Sequence, residues 1–120
     1  MRTGEAIPHV PDNASLSEAV LEMSKKGMGM TAIVDRGERL AGIFTDGDLR
    51  RTLDKLVDLR KQGVREVMTP RPRTIRPNQL AVEAVQLMEE HKITQLLAVD
   101  TDMRLVGALN MHDLMRAKVI

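Results

Sequence analysis

The feature that most constrains the fold of this chain is an internal duplication with a period of 65 residues. When residues 8–51 are placed on residues 73–116 without a gap, thirteen of the forty-four positions are identical. The identical pairs are Asn13/Asn78, Glu18/Glu83, Ala19/Ala84, Val20/Val85, Met23/Met88, Val34/Val99, Asp35/Asp100, Arg39/Arg104, Leu40/Leu105, Gly42/Gly107, Asp48/Asp113, Leu49/Leu114 and Arg51/Arg116. Because these positions follow structural roles, the chain is predicted to be one supersecondary unit built twice.

Each copy is predicted to run strand, helix, strand, strand, helix, which is an α+β (α/β) arrangement. In the first copy the capping box Ser15-x-x-Glu18 opens a helix whose apolar residues share one face. Residues 30–34 and 40–44 are predicted to be strands joined by a tight turn at 35–38. A second helix is predicted from Asp46 to about Gly63, and its apolar face is Leu49, Leu53, Leu56 and Val57.

Length and composition limit both the architecture and the function. Half of 120 residues, about 60, would bury too little surface to be comfortably stable alone, so the two copies are expected to share a core. A net charge of +1, a single aromatic residue and no long apolar run argue against nucleic-acid binding and membrane association. The absence of cysteine is compatible with a reducing cytoplasm, where we expect the protein to act.

Each copy closes on a polar corner, at Gly42–Arg51 and again at Gly107–Arg116. A strand there runs into the start of a helix, so backbone N–H groups, a hydroxyl or amide and a carboxylate are expected to converge. Such a corner suits a ribose and a phosphate. The alternative is plain helix capping, in which Thr45 and Asp48 satisfy N–H groups without any ligand.

The repeated order and the Gly-hydrophobic-x-Thr-x-x-Asp-Leu corner resemble a tandem pair of CBS (cystathionine beta-synthase) domains over essentially the whole chain. The resemblance implies two β-α-β-β-α repeats packed with pseudo-two-fold symmetry, which we divide at 1–62 and 63–120. Residues Met1-Arg2-Thr3 are expected to stand where Met68-Thr69-Pro70 stand in the second copy. The first repeat is therefore expected to be truncated at its N-terminus.

A narrower resemblance is to the C-terminal CBS pair of bacterial D-arabinose 5-phosphate isomerases, which make the precursor of the lipopolysaccharide sugar Kdo. It is carried by the Gly42–Arg51 corner, by Val67-Met68-Thr69-Pro70 and by Met111-His112-Asp113-Leu114. In that family the chemistry resides in a separate N-terminal sugar-isomerase domain. The resemblance therefore implies a regulatory module that is not itself an enzyme and whose partner is that domain of its own chain.

The resemblance also nominates ligand-binding residues in two clefts. The first cleft is expected to contain Pro8, His9, Val10, Gly29, Met30, Thr31, Thr45, Asp48, Arg50 and Arg51. The second is expected to contain Thr74, Thr94, Gln95, Asn110, His112 and Asp113. For Met30 a core position is the favoured interpretation, and the arginines have the alternative of a solvated helix face.

No metal or other cofactor is expected. The spacing of His9, His91 and His112 fits no zinc or catalytic pattern. Asp46 and Asp48 resemble a fragment of a calcium loop, but cationic side chains follow where oxygen ligands would be needed.

Three functional hypotheses remain at this point. The first is a ligand-sensing module that binds a nucleotide or nucleotide sugar, with CMP-Kdo, cytidine nucleotides and adenine nucleotides as candidates. The second is an oligomerisation module with empty clefts, a homodimer whose apolar contact comes from Leu49, Leu53, Leu56, Leu114 and Met115. The third, an enzyme in its own right, is the least supported, since no nucleophile-and-base pair can be assembled from the sequence.

Overall fold

The computed structural model describes residues 1–55, 58–79 and 81–116. The first repeat contains β1 (His9–Pro11), α1 (Leu16–Lys26), β2 (Met30–Val34), β3 (Leu40–Thr45) and α2 (Asp46–Leu53). The second contains β4 (Thr69–Pro70), β5 (Thr74–Ile75), α3 (Ala81–His91), β6 (Gln95–Val99), β7 (Leu105–Asn110) and α4 (Met111–Arg116). Short 3-10 turns at Gly4–Ala6 and Val64–Glu66 precede the two repeats. The predicted α+β class and element order are confirmed.

The second helix is shorter than the sequence predicted. It ends at Leu53, and residues 58–63 form turns that lie against the start of α1. There the N–H groups of Leu16 and Ser17 donate to the carbonyls of Gln62 and Leu59, at 2.7 and 2.9 Å. The carbonyls of this segment accept from free N–H groups at the N-terminus of α1. They could not do so if α2 continued through these residues. Leu56 and Val57 lie outside the described residues.

The described residues form two small sheets. The segment that precedes the second repeat pairs with the edge of the first sheet, and the segment that precedes the first repeat pairs with the second sheet. In the first sheet the order is β1-β2-β3-β4, with β1 parallel to β2 and the other pairs antiparallel. The second sheet has the order β5-β6-β7. Thr69 pairs with Ile43 of the first sheet, and Arg2 forms the equivalent antiparallel bridge to Ala108 of the second.

The glycine of each corner motif is required by this exchanged segment. A Cβ on Gly42 would lie 2.5 Å from the sulfur of Met68 and 2.9 Å from the carbonyl oxygen of Thr69. A Cβ on Gly107 would collide in the same way with the side chain of Met1. Met1 and Met68 therefore hold equivalent places, which confirms the predicted correspondence of residues 1–3 with 68–70.

The apolar core has three parts. One lies between the first sheet and its helices, and includes Leu16, Ile33 and Phe44. A matching one lies between the second sheet and its helices. The third contains residues of both sheets, namely Met30, Ala32, Ile43, Leu97 and Ala108, together with Ile7 and Met28. The expectation that the copies share a core is confirmed.

The two sheets are joined at the end where β3 and β7 begin. The N–H of Leu40 donates to the carbonyl of Met103 at 2.9 Å, and that of Leu105 donates to the carbonyl of Glu38 at 3.2 Å. These bonds link the hairpin turn of one repeat to that of the other. The polar corners lie at the opposite ends of the same strands.

Candidate functional site

The first polar corner is a closed capping box at the start of α2. The N–H of Asp48 donates to the Thr45 hydroxyl at 3.2 Å, and the Thr45 N–H donates to Asp48 Oδ2 at 3.0 Å. The capping arrangement considered from the sequence is therefore present. It also fixes the Thr45 and Asp48 side chains at the edge of the sheet, where a ligand could reach them.

Two further side chains converge on the Asp48 carboxylate. Arg51 donates from Nη2 to Oδ1 at 2.5 Å, and the Thr69 hydroxyl lies 3.4 and 3.5 Å from Oδ1 and Oδ2. The Asp48 side chain is only 8% exposed, whereas the Arg51 side chain is 70% exposed. The carboxylate is thus held rigidly in place, and the guanidinium that it orients faces solvent.

A cavity of about 520 Å³ opens beside this corner, between the two repeats. From the first repeat it is lined by the end of β3 and the first turns of α2. The other wall comes from the segment that enters β5 and the segment that enters β6. The lining residues are Ile43, Thr45, Asp46, Gly47, Asp48, Arg50, Arg51, Thr69, Arg71, Pro72, Arg73, Lys92, Ile93, Thr94 and Gln95.

The lining has an excess of positive charge that the protein itself does not neutralise. It includes four arginines and one lysine against two aspartates. Among the described residues only Arg51 of these cations makes an ion pair, and the side chains of Arg50, Arg71, Arg73 and Lys92 have no hydrogen-bonded partner. The N–H of Gly47, in the first turn of α2, also has no partner within the described chain. Positively charged side chains and a helix N-terminus together attract an anion.

The structure brings together residues that the sequence assigned to different clefts. Thr45, Asp48, Arg50 and Arg51 line the cavity, but so do Thr94 and Gln95, which were expected in the second cleft. These two residues lie here because the start of β6 faces the corner of the other repeat. A Cβ on Gly29, beside the corner, would lie 3.5 Å from Nε2 of Gln95 and 3.2 Å from Oδ2 of Asp46.

Four residues expected in the first cleft are instead buried in the core. Pro8, Met30 and Thr31 are less than 2% exposed, and Val10 packs among the residues beneath α1. The Thr31 hydroxyl donates to the carbonyl of Ala19 at 3.1 Å and so ties β2 to α1. All five residues of β2 are buried, so both faces of this strand are covered, which sequence periodicity alone does not reveal. For Met30 the core position was the favoured interpretation.

His9 and Thr74 lie apart from the cavity, whereas Gly29 lies beside its corner. His9 is exposed and lines a separate cavity of about 280 Å³ near the hairpin turns. Thr74 is half-buried in β5, opposite Leu97. Gly29 adjoins the corner, since its carbonyl accepts from the N–H of Asp46 at 3.1 Å.

The second corner is arranged differently from the first. The Asn110 side chain accepts from the N–H of Asp113 at 2.7 Å, as Thr45 does for Asp48. The Asp113 carboxylate, however, binds the guanidinium of Arg2, which donates from Nε at 3.1 Å and from Nη2 at 3.4 Å. Arg2 also donates to the carbonyl of Lys26 at 2.6 Å. His112 is exposed beside this pair. The second corner is thus satisfied by a side chain of the protein itself.

Sequence reasoning missed the wall that the second repeat contributes. Thr69, Arg71, Arg73 and Lys92 carry most of the polar groups on that side. The available signals were the alternation of prolines and arginines at 70–73 and a lysine immediately after a predicted helix. Within residues 1–55, 58–79 and 81–116, no group of three or more His, Cys, Asp or Glu side chains could hold a metal ion. None of the described helices has the length and apolar character needed to span a bilayer.

Comparison with known families decides what kind of module this is. The family model described as the CBS domain matches residues 1–55 and, a second time, residues 64–120. The chain belongs to the CBS domain family. The two matches leave only residues 56–63 outside, so this CBS pair contains no sugar-isomerase domain.

Relatives of the CBS pair include the arabinose 5-phosphate isomerase KdsD of several bacteria. The pair is 52% identical over all 120 residues to KdsD of Pseudomonas aeruginosa and spans 37% of that protein. It is 50% identical over the same length to KdsD of Escherichia coli K12 and spans 36% of it. The chain therefore corresponds to little more than a third of each of these relatives.

Solved structures confirm the architecture of a CBS pair. A signal-transduction protein with CBS domains from Burkholderia ambifaria is 30% identical with a TM-score of 0.82, covering 94% of this chain and 82% of that one. CBSX2, solved in complex with AMP, is 27% identical with a TM-score of 0.82, covering 99% of this chain and 92% of that one.

Proposed function

We propose that this CBS pair is the ligand-sensing regulatory module of an arabinose 5-phosphate isomerase, with a nucleotide or nucleotide sugar as its ligand. The observation that carries the proposal is the cavity at the Thr45–Asp48 corner, which is lined by several cations without partners among the described residues. An anionic ligand of nucleotide size would neutralise them and would reach the exposed N–H of Gly47. The similarity to KdsD supports the identity of the parent enzyme.

The class of ligand follows from the chemistry of the lining and from a relative. CBSX2 was solved in complex with AMP, which supports a nucleotide in this family of folds. Asp48 would accept hydrogen bonds from a ribose diol, and Arg50 and Arg51 would face the phosphate. Our preferred ligand is CMP-Kdo, the end product of the pathway that the KdsD relationship implies, because it carries a phosphate and a carboxylate. Other cytidine nucleotides and adenine nucleotides are the remaining candidates.

Regulation would arise because the cavity has walls from both repeats. A ligand that contacts the Thr45–Arg51 corner on one side and Arg71–Gln95 residues on the other favours one relative arrangement of the repeats. A coupling free energy of about 1–3 kcal/mol between this site and an attached catalytic domain would change activity severalfold. We place this function in the cytoplasm, where nucleotides and sugar phosphates are found.

The second candidate is a homodimerisation module that stabilises the parent enzyme. The observation in its favour is the exposure of large apolar side chains on the short helices, with Leu53 49% and Met115 59% exposed. Leu56, which was expected to extend this face, lies outside the described residues. The two functions are compatible, and measuring self-association with and without nucleotide separates them.

Calorimetric titration tests the primary proposal. The CBS pair would be titrated with CMP-Kdo, CMP, AMP and ATP, and the experiment repeated on Asp48→Ala and Asp113→Ala. We expect micromolar binding, about 8 kcal/mol, that is lost in Asp48→Ala and retained in Asp113→Ala. Absence of heat with all four ligands would contradict the sensing function and favour the dimerisation module.

A further inference from the structure

Because the chain contains two equivalent repeats, the backbone conformation of each cavity residue can be compared with that of its equivalent in the other repeat. Four non-glycine residues in the described chain have a positive φ, and two of them, Arg71 at +48° and Lys92 at +55°, line the cavity. The position equivalent to Lys92 in the first repeat is Gly27, with φ +67°. Arg71 stands two residues after Thr69, as Gly4, with φ +56°, stands two residues after Arg2. Both cations therefore occupy left-handed positions that are glycines in the other copy.

A left-handed backbone is unfavourable for any residue with a Cβ and is free of that penalty for glycine. Local stability alone would therefore favour glycine at 71 and 92, as the other copy has at 4 and 27. The cations occur only in the copy that faces the Thr45–Asp48 corner. Strained conformations of this kind are concentrated at functional sites, where the side chain is what is needed.

Arg71 and Lys92 are exposed, and neither side chain has a hydrogen-bonding or ionic partner among the described residues. Both belong to the wall from the second repeat, whereas the anion-binding end of α2 belongs to the first. We propose that Arg71 and Lys92, together with Arg73, form an anion subsite that is separate from the start of α2. This subsite recognises a second acidic group on the ligand.

This inference rests on the proposed nucleotide-sensing function and narrows the class of ligand. The ligand is a nucleotide that carries another anionic group besides its first phosphate. That group could be the carboxylate of an acidic sugar or an additional phosphate, and both would use the same cations. The subsite discriminates against a nucleoside monophosphate, which has only one anionic group to offer.

Glycine substitutions test the subsite without endangering the fold, since each residue already has a glycine-compatible conformation. Affinities for CMP, CTP and CMP-Kdo would be compared in the wild type, Arg71→Gly and Lys92→Gly. We expect each substitution to lower the affinity for the preferred ligand about tenfold or more, because a charge-assisted bond to the second anionic group is lost. The affinity for CMP should fall by less than about threefold. Selective loss for CMP-Kdo identifies a sugar carboxylate, and selective loss for CTP identifies a polyphosphate.

Met103→Gly is the matched control. Met103 also has a positive φ, +66°, but it lies in a hairpin turn away from the cavity lining. The Met103→Gly variant should bind CMP, CTP and CMP-Kdo with the affinities of the wild type. Equal weakening of CMP and of the larger ligands in Arg71→Gly and Lys92→Gly would overturn the separate subsite, as would no weakening at all.

An anion that lacks a nucleoside tests binding at the subsite independently of nucleotide binding. Inorganic pyrophosphate would be titrated into the wild type and the Arg71→Gly/Lys92→Gly double variant while backbone amide resonances are followed. Saturable shifts of the amides at 71, 73 and 92, absent in the double variant, support the subsite even if no nucleotide binds. If nucleotides bind but pyrophosphate shifts no resonance in either segment, the sensing function is retained and the proposed subsite is wrong. If neither nucleotides nor pyrophosphate bind, the sensing function and the subsite are both wrong.

Discussion

Asp48 combines two tasks in one carboxylate. It closes the capping box of α2 through the Thr45 N–H, and it holds the Arg51 guanidinium at the edge of the cavity. Both tasks need a strong acceptor, and the Thr-x-x-Asp spacing predicted the first of them. The sequence could not reveal that Thr69 joins them, because Thr69 arrives from a segment 21 residues away in the chain.

Asp48→Asn is expected to destabilise the CBS pair even without ligand. The amide cannot serve the N–H of Thr45 and the guanidinium of Arg51 as the carboxylate does, so the free energy of unfolding should fall by about 0.5–2 kcal/mol. Urea denaturation measures the change. Asp46→Asn is the control, since Asp46 is exposed in the same turn without a side-chain hydrogen bond to the described residues, and it should change stability by less than about 0.5 kcal/mol.

Asp100 is the residue through which pH should act on the second hairpin turn. Hydrogen bonds from the N–H groups of Arg104 and Asp102, at 3.0 and 2.8 Å, lower the pKa of this carboxyl, and the nearby Arg104 and Arg76 charges add to the effect. Since the folded pKa lies below the unfolded value of about 3.9, ionisation stabilises the fold above that pH.

The stabilisation from Asp100 is therefore lost as pH falls from about 4 through the lowered pKa of the folded state. Urea denaturation of the wild type and Asp100→Asn across this range should show the two stability curves converging at low pH. A constant difference between the two curves down to the lowest pH would contradict this role of Asp100.

At the scale of the element, helix starts and hairpin turns were predictable because their signals are local. The N-cap at Ser15, the Asp-initiated turns at 35 and 100 and the corner at Thr45 all satisfy N–H groups a few residues away. The end of α2 was not predictable in the same way. It depends on residues 58–63 binding the start of α1, which is a tertiary contact.

The end of α3 offers a test of strain at the element scale. Lys92 follows this helix in a left-handed conformation, while Ile93 donates to the carbonyl of Met88 at 2.9 Å. Lys92→Gly should raise the free energy of unfolding by about 0.5–1 kcal/mol by removing the Cβ penalty. Gln86→Gly, at an exposed helical position of α3, should lower it by about 1 kcal/mol. Thermal unfolding of both variants gives the comparison, and a destabilised Lys92→Gly would show that this position is not strained.

At the scale of the whole molecule, the repeats are bound together by exchanged edge segments and by a shared inner core. The duplication predicted the shared core, but it could not predict which wall faces which corner. That is why the sequence did not place Thr94 and Gln95 beside the Thr45–Asp48 corner or Val10 and Thr31 in the core. Those outcomes depend on the pseudo-two-fold packing of the two sheets.

Leu97→Ala tests this shared core. Leu97 lies in β6, is fully buried and packs among inner-face residues of both sheets. The substitution should lower the free energy of unfolding by about 2–5 kcal/mol. Amide hydrogen exchange should show that both repeats lose protection to the same extent, since they unfold as one unit. Loss of protection confined to the second repeat would indicate that the repeats are independently stable.

The central claim is that a nucleotide occupies the Thr45–Asp48 corner and contacts the wall from the second repeat. Backbone amide resonances followed during a titration with CMP-Kdo test it most directly, because they report both corners in one experiment. The account predicts saturable shifts of the amides at 45–51, 71, 73 and 92–95, with those of Asn110 and Asp113 unaffected. Shifts centred on Asn110 and Asp113 instead, or no saturable shift with this ligand or with AMP, would contradict it.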